Sequence, residues 1–267
     1  MPLQIEAPPE LASIRRRFES IDSRQFDNIA QLAGLPGNGA PVHVVLATER
    51  SDIARSVPPW IAGFADEESI VILPARSPSY PDDTLEDVLR HELAHVMIWR
   101  ASSGRPVPRW FNEGLAMSAE RGRGLRDETQ FIYQIASGSR TTLAELDRLF
   151  TGGQNEVTRA YAISGALVHD ILEQNGRTAA AAILARVNRG ESFDSAFKTV
   201  TGSTPADADA DFWRRQRIWT SWLPVFTSTT TLWLAITLLA LIAIYRRWRR
   251  NLEIEKRWEE EGDKEED

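Results

Sequence analysis

The chain has 267 residues, 42% hydrophobic and 26% charged, enough to bury one sizeable core. It contains no cysteine, which excludes a disulfide framework, a thiol nucleophile and any cysteine-based zinc finger. The net charge of −7 is concentrated in the last 17 residues, which hold nine acids and three bases. The remainder is near balance, so no broad basic face is implied and nucleic acid is not expected as a partner.

In chain order, the first expected element is a helix over residues 9–33. There Leu11, Ile14, Phe18, Ile21, Phe26 and Ile29 recur at mostly helical spacing. The "GLPGNG" stretch at 34–39 breaks it. "VHVVLA" at 42–47, "WIAGFAD" at 60–66 and "SIVILPA" at 69–75 have strand length and pattern, and "RSPSYPDD" reads as a loop. Helices are then expected at about 84–102, 108–121, 126–137, 141–149, 157–174, 176–188 and 192–201. From Ile218 to Tyr245 no residue is charged, where about 20 apolar residues suffice to span a bilayer. Trp219, Trp222, Trp233 and Tyr245 stand where interfacial aromatics belong.

The bases flanking that segment favour its C-terminal side, with Arg246, Arg247, Arg249, Arg250, Lys256 and Arg257 against Arg214, Arg215 and Arg217. This bias predicts a cytoplasmic tail and an extracytoplasmic N-terminal part, as in a single-pass protein of a bacterial inner membrane. Export would need a signal, and "MPLQIEAPPELASIRRRF" has no apolar h-region. Either the start is truncated or processed, or the chain is tail-anchored; the charge bias favours the first.

Chemistry concentrates in "RHELAHVMIW" at 90–99. Thr84, with Asp87 three residues on, is a capping-box-like helix start. It places His91 and His95 inside a helix, one turn apart and on one face, so that both imidazoles can reach one ion. Glu92 flanks that position and can take a proton from a metal-bound water. The surroundings are apolar (Val88, Leu89, Leu93, Val96, Met97), and polar groups buried there are costly unless satisfied. One zinc ion would satisfy them, although a His and carboxylate site also accepts other divalent ions. Catalytic zinc needs a third protein ligand and an open position. Glu113, in "PRWFNEGLAMSAE" and 18 residues past His95, is the candidate.

"HELAH" followed by "WFNEGLA" resembles the gluzincin metallopeptidases, including the aminopeptidase N and thermolysin branches and the peptidase MA-like group. The resemblance covers roughly residues 40–175. It implies zinc bound by His91, His95 and Glu113, with Glu92 as general base. Glu120 matches the aminopeptidase carboxylate that supports a zinc-binding histidine, whereas Met117 replaces the equivalent aspartate of the thermolysin branch. "YAISGALVHDIL" is similar to the aminopeptidase segment whose tyrosine stabilises the oxyanion, which makes Tyr161 the candidate, with Tyr133 in reserve. His169 reads as structural or exposed, and His43 has no assigned role. The exopeptidase amine-gripping motif is missing from "GFADEESIVIL", despite Asp66 and Glu67, so aminopeptidase specificity is not implied. The strand before the site helix looks like the zincin edge strand that pairs with extended substrate, through Ile70, Val71, Ile72 and Leu73.

The expected architecture is thus α+β: a zincin-like catalytic domain with a small N-terminal mixed sheet, a helical C-terminal part and one C-terminal transmembrane helix. Its segments are an N-terminal helix and linker (1–40), the metallopeptidase domain (41–205), a juxtamembrane segment (206–217), the span (218–245) and a basic-then-acidic disordered tail (246–267). The expected function is a membrane-anchored zinc peptidase of endopeptidase type. Its partners are a peptide or protein substrate and the bilayer; any protein partner of the tail is unidentified. The rival is a non-catalytic, membrane-tethered zinc-fold binding or assembly module, against which an intact Glu92 argues.

Overall fold

A computed structural model describes residues 2–36, 39–78, 81–120, 140–227, 233, 236–237 and 239–247. The chain divides into two compact units, Met1–Trp213 and Arg214–Asp267. The first is mostly helical and carries a small four-stranded sheet.

The sheet consists of β1 (Leu3–Glu6), β2 (Val42–Leu46), β3 (Gly63–Asp66) and β4 (Ser69–Ile72), in the order β1-β2-β4-β3. β1, β2 and β4 run parallel, with Leu3 opposite Val42 and Val44 opposite Ile70. β3 returns antiparallel on β4, with Gly63 opposite Ile72. The tight return places Glu67 at φ 52°. β1 has too few residues to announce itself by alternation and exists because β2 offers it a parallel ladder.

The single helix expected over 9–33 is broken. α1 (Ala12–Glu19) and α2 (Asp27–Ala33) are separated by a short 3₁₀ turn at Ser23–Phe26. Short polar side chains compete for the backbone at the break. Ser20 Oγ donates to Arg17 O at 2.6 Å, and Asp22 Oδ1 accepts from Arg24 N at 3.0 Å. After the short α3 (Asp52–Ser56) come α4 (Leu85–Ser102) and α5 (Arg109–Glu120). They are followed by α6 (Leu143–Leu149), α7 (Gln154–Asn175), α8 (Ala179–Asn188), α9 (Phe193–Thr201) and α10 (Pro205–Thr227). The helix expected at 126–137, and Tyr133 with it, lie outside the described residues.

α4 starts where its capping box predicts: Thr84 Oγ1 accepts from Asp87 N, and the Asp87 carboxylate accepts from Thr84 N. One core then joins the sheet to the helices. Val44, Leu46, Ile70 and Ile72 from the sheet meet Leu89, Leu93 and Val96 of α4, and Phe111, Leu115 and Leu167 lie on its helical side. α5 makes its most extensive packing against α7. The approach is close because a Cβ on Gly114 would fall 2.3 Å from the Ser164 carbonyl oxygen.

The expected C-terminal transmembrane helix is corrected. Among the described residues, no helix is long and apolar enough to cross a membrane. The physical reason is where the charges fall. α10 carries Asp207, Asp209, Asp211, Arg214, Arg215 and Arg217 upstream of Ile218, so more than half of its described length is a charged stretch. Inside the expected span, residues 228–232, 234–235 and 238 lie outside the described residues. The single-pass anchor, the bilayer as partner, and the extracytoplasmic placement with a cytoplasmic tail at an inner membrane are therefore set aside.

Candidate active site

α4 and α5 build the site together. His91 and His95 lie one turn apart on α4, with ring centroids 4.8 Å apart and planes at 84°. α5 brings Glu113 against them: Glu113 Oε2 lies 3.5 Å from His91 Nε2 and 3.3 Å from His95 Nε2. Donor atoms of these three residues all fall within 4.8 Å of one another, and the group can hold a metal ion. Both ring nitrogens of His91 and Glu113 Oε2 are buried without a hydrogen-bond partner. Such orphaned atoms are expensive unless something else binds them. Tetrahedral zinc at about 2.0–2.2 Å from its ligands sets neighbouring ligand atoms roughly 3.3–3.5 Å apart. The two measured separations from Glu113 match, so the donor set fits such an ion.

His95 has an orienting partner that the sequence analysis missed. Its Nδ1 lies 3.0 Å from Asn112 Oδ1. An amide oxygen accepts, so Nδ1 carries a proton and Nε2 is the ring nitrogen turned toward Glu113. The available signal was position: Asn112 directly precedes the candidate ligand on the first turn of α5. Arg109 was missed as well. Its Nε approaches Glu113 Oε1 at 3.5 Å, and its guanidinium lies 4.6 Å from the centroid of the Phe150 ring. The side chain of Glu120 lies outside the described residues, so its expected support of a histidine belongs there too.

Glu92 is buried beside the group, with 7% of its surface exposed. Burial raises its pKa, and the nearby His95 and His91 pull the other way. A carboxylate so placed is a better proton acceptor than an exposed one. Burial would lower the pKa of His91, but Asp82, Glu113 and Glu92 outweigh it and push it up to about 10. His95 is likewise raised, by Glu113 against its burial. Glu113 is held far below the usual carboxylate range, because His95 and His91 outweigh its own burial. Tyr161 packs edge-on to His91 and Phe150, at centroid distances of 5.9 and 5.6 Å. Burial, then Glu113 and Glu92, hold its hydroxyl protonated well above the ordinary range, so it remains a donor.

These groups open onto a cleft of about 870 Å³. Its walls include Gly63, Phe64 and Ala65 of β3, Trp60 and Trp99, Phe150, and Asp82. Gly63 is required here: a Cβ would lie 2.4 Å from Val88 Cγ1 and 3.4 Å from Glu92 Cγ. The strand expected to pair with substrate is corrected. Ile70, Val71 and Ile72 belong to β4, which is bonded to β2 on one side and β3 on the other, and Leu73 N bonds Ala62 O at 2.8 Å. With both edges engaged, β4 has no free ladder to offer a peptide. The outer strand is β3, and it lines the cleft. His43 faces Glu6 at 3.6 Å, and His169 lies 3.2 Å from Glu173; neither lines the cleft.

A family model for the Peptidase MA superfamily matches residues 28–217. The chain belongs to the Peptidase MA superfamily. The matched region contains every residue of the site just described, and membership points to a peptidase acting on peptide or protein substrates. No curated protein matches the chain.

Proposed function

We propose that this Peptidase MA member is a zinc-dependent peptidase of the gluzincin type, cleaving within extended peptides. The observation that carries the reading is the convergence of His91, His95 and Glu113 beside a buried Glu92 in an open cleft. A zinc ion there would supply a water acidified toward a pKa of about 7 and a positive contact for the substrate carbonyl.

The chain's own residues do the rest. His91, His95 and Glu113 would hold the ion, and Asn112 keeps the His95 ring turned so that Nε2 faces that position. Glu92 accepts a proton from the attacking water on its carboxylate and delivers it to the leaving amide nitrogen. The Tyr161 hydroxyl donates to the oxygen of the tetrahedral intermediate. Phe150 and Trp99 supply aromatic wall beside these groups. β3, an outer strand that lines the cleft, is the element placed to pair with an extended substrate, a pairing tolerant of sequence.

Metal content of the full chain tests the reading first. One equivalent of zinc is expected in the wild type and none in His95→Ala. Glu92→Gln is expected to keep zinc and lose hydrolysis; full-rate peptide hydrolysis in that variant sinks the mechanism.

A further inference from the structure

Asp82 is a charged group of the cleft with no part in that chemistry. Asp82 precedes α4 in the chain and lines the cleft with His91, Glu92 and His95. It is not a member of the donor group that can hold the ion. Its Oδ1 is buried, with no hydrogen-bond partner among the described residues. Burial raises its pKa to about 6, with His91 and His95 pulling down and Glu92 and Glu113 pushing up. Among the described cleft residues, Arg109 is the sole Lys or Arg, and it is engaged by Glu113 and Phe150.

A buried carboxylate oxygen without a hydrogen-bonding partner is a standing cost, and a cationic donor arriving from solvent removes it. The same cleft offers aromatic surface for the stem of such a group, including Trp60, which is 40% exposed. We propose that Asp82 is a substrate-binding residue that takes a protonated amine or guanidinium, so that the cleft selects peptides bearing positive charge near the scissile bond. That charge has two sources, a Lys or Arg side chain or the free α-amine of a peptide terminus. The inference rests on the peptidase reading for its biological meaning, but its test does not require turnover.

The experiment uses the full chain, zinc-loaded and carrying Glu92→Gln so that peptides persist. Affinity is read by fluorescence anisotropy for C-terminally labelled alanine pentapeptides. One set is acetylated with a single lysine at each position in turn; a second is acetylated with norleucine there; a third has norleucine and a free amine. Binding of the lysine or the free-amine peptides is expected to be on the order of tenfold tighter than binding of acetylated norleucine peptides. The set showing the gain identifies the source. Adding Asp82→Asn is expected to remove the gain while leaving norleucine peptides bound. Asp82→Lys is expected to reverse it in favour of glutamate peptides, which keeps the test decisive if the Asn variant folds poorly. No cationic preference, or a preference that survives both substitutions, overturns the proposal. If zinc-loaded wild type hydrolyses none of these peptides, the peptidase reading fails separately, and the binding comparison still decides the role of Asp82.

Discussion

The cleft has two kinds of wall. Its helical side, α4, α5 and α7, is tied together by backbone approaches that leave no room for a side chain, as at Gly114 against Ser164. Its polar groups converge on one point, and His95 has a fixed orienting partner. The strand side is held differently. Arg76, buried to 7% exposure, reaches the carbonyls of Ala54, Pro58 and Ile61 and the Glu49 carboxylate, and so pins the segment leading into β3. That side also presents the outer strand β3, with Trp60 and Phe64. On the proposed function, chemistry belongs to the helical wall, where geometry is over-determined, and substrate recognition to the strand wall.

The largest expected effect lies on the helical wall. Glu92→Gln should lower kcat by on the order of 10²–10⁴-fold while zinc content is unchanged, read by peptide hydrolysis and metal analysis of the same sample. Asn112→Ala comes next. Loss of the His95 partner should weaken zinc binding by about 10–100-fold, measured by competition with a chelator of known affinity. If zinc affinity is unaltered, the helical wall does not owe its order to that contact.

Zinc affinity should also depend on pH. In the metal-free site His91 is held protonated, its pKa pushed up to about 10 by Asp82, Glu113 and Glu92 against its burial. Binding must expel that proton, so affinity should rise with pH by up to about tenfold per unit below that value. Calorimetry in buffers of different ionisation enthalpy would reveal the released proton; a pH-independent affinity contradicts this electrostatic picture.

Gly114→Ala should destabilise the fold by about 1–3 kcal/mol, since α5 must back away from α7, and denaturant unfolding reads it. Zinc binding should suffer with it, because Glu113 rides on the displaced turn. The smallest effect belongs to the other wall. Arg76→Lys keeps the charge but cannot make the forked contacts, and should raise KM by a few-fold with little change in kcat or zinc content. An equal fall in kcat would erase the distinction between the walls.

Much of the helical wall was legible from residue pattern. Thr84 and Asp87 locate the start of α4, and the i, i+4 spacing of His91 and His95 places both on one face whatever the tertiary fold. Those are local properties, set within one or two helical turns. Asp82 carried no such signal, because a lone aspartate in a loop reads as solvated until neighbouring elements bury it. The C-terminal apolar run shows the opposite failure. Hydropathy over 218–245 suggests one continuous span, whereas the described helix that enters it spends more than half of its length on charged turns upstream.

By itself, then, the sequence determined the site helix, its capping, the histidine pair with Glu92, and Glu113 as the residue to look for beyond them. Those depend on short-range spacing and on the cost of burying polar groups in an apolar helix. The tertiary structure alone decided that Glu113 sits 3.3–3.5 Å from both histidines, that Asn112 orients His95, and that β3 rather than β4 is the outer strand. Each of these is a distance between segments far apart in the chain or a choice of strand order. Neither is encoded in local periodicity; both follow from how α5 packs against α4 and α7, and from β1 pairing with β2 to leave β3 at the edge of the sheet.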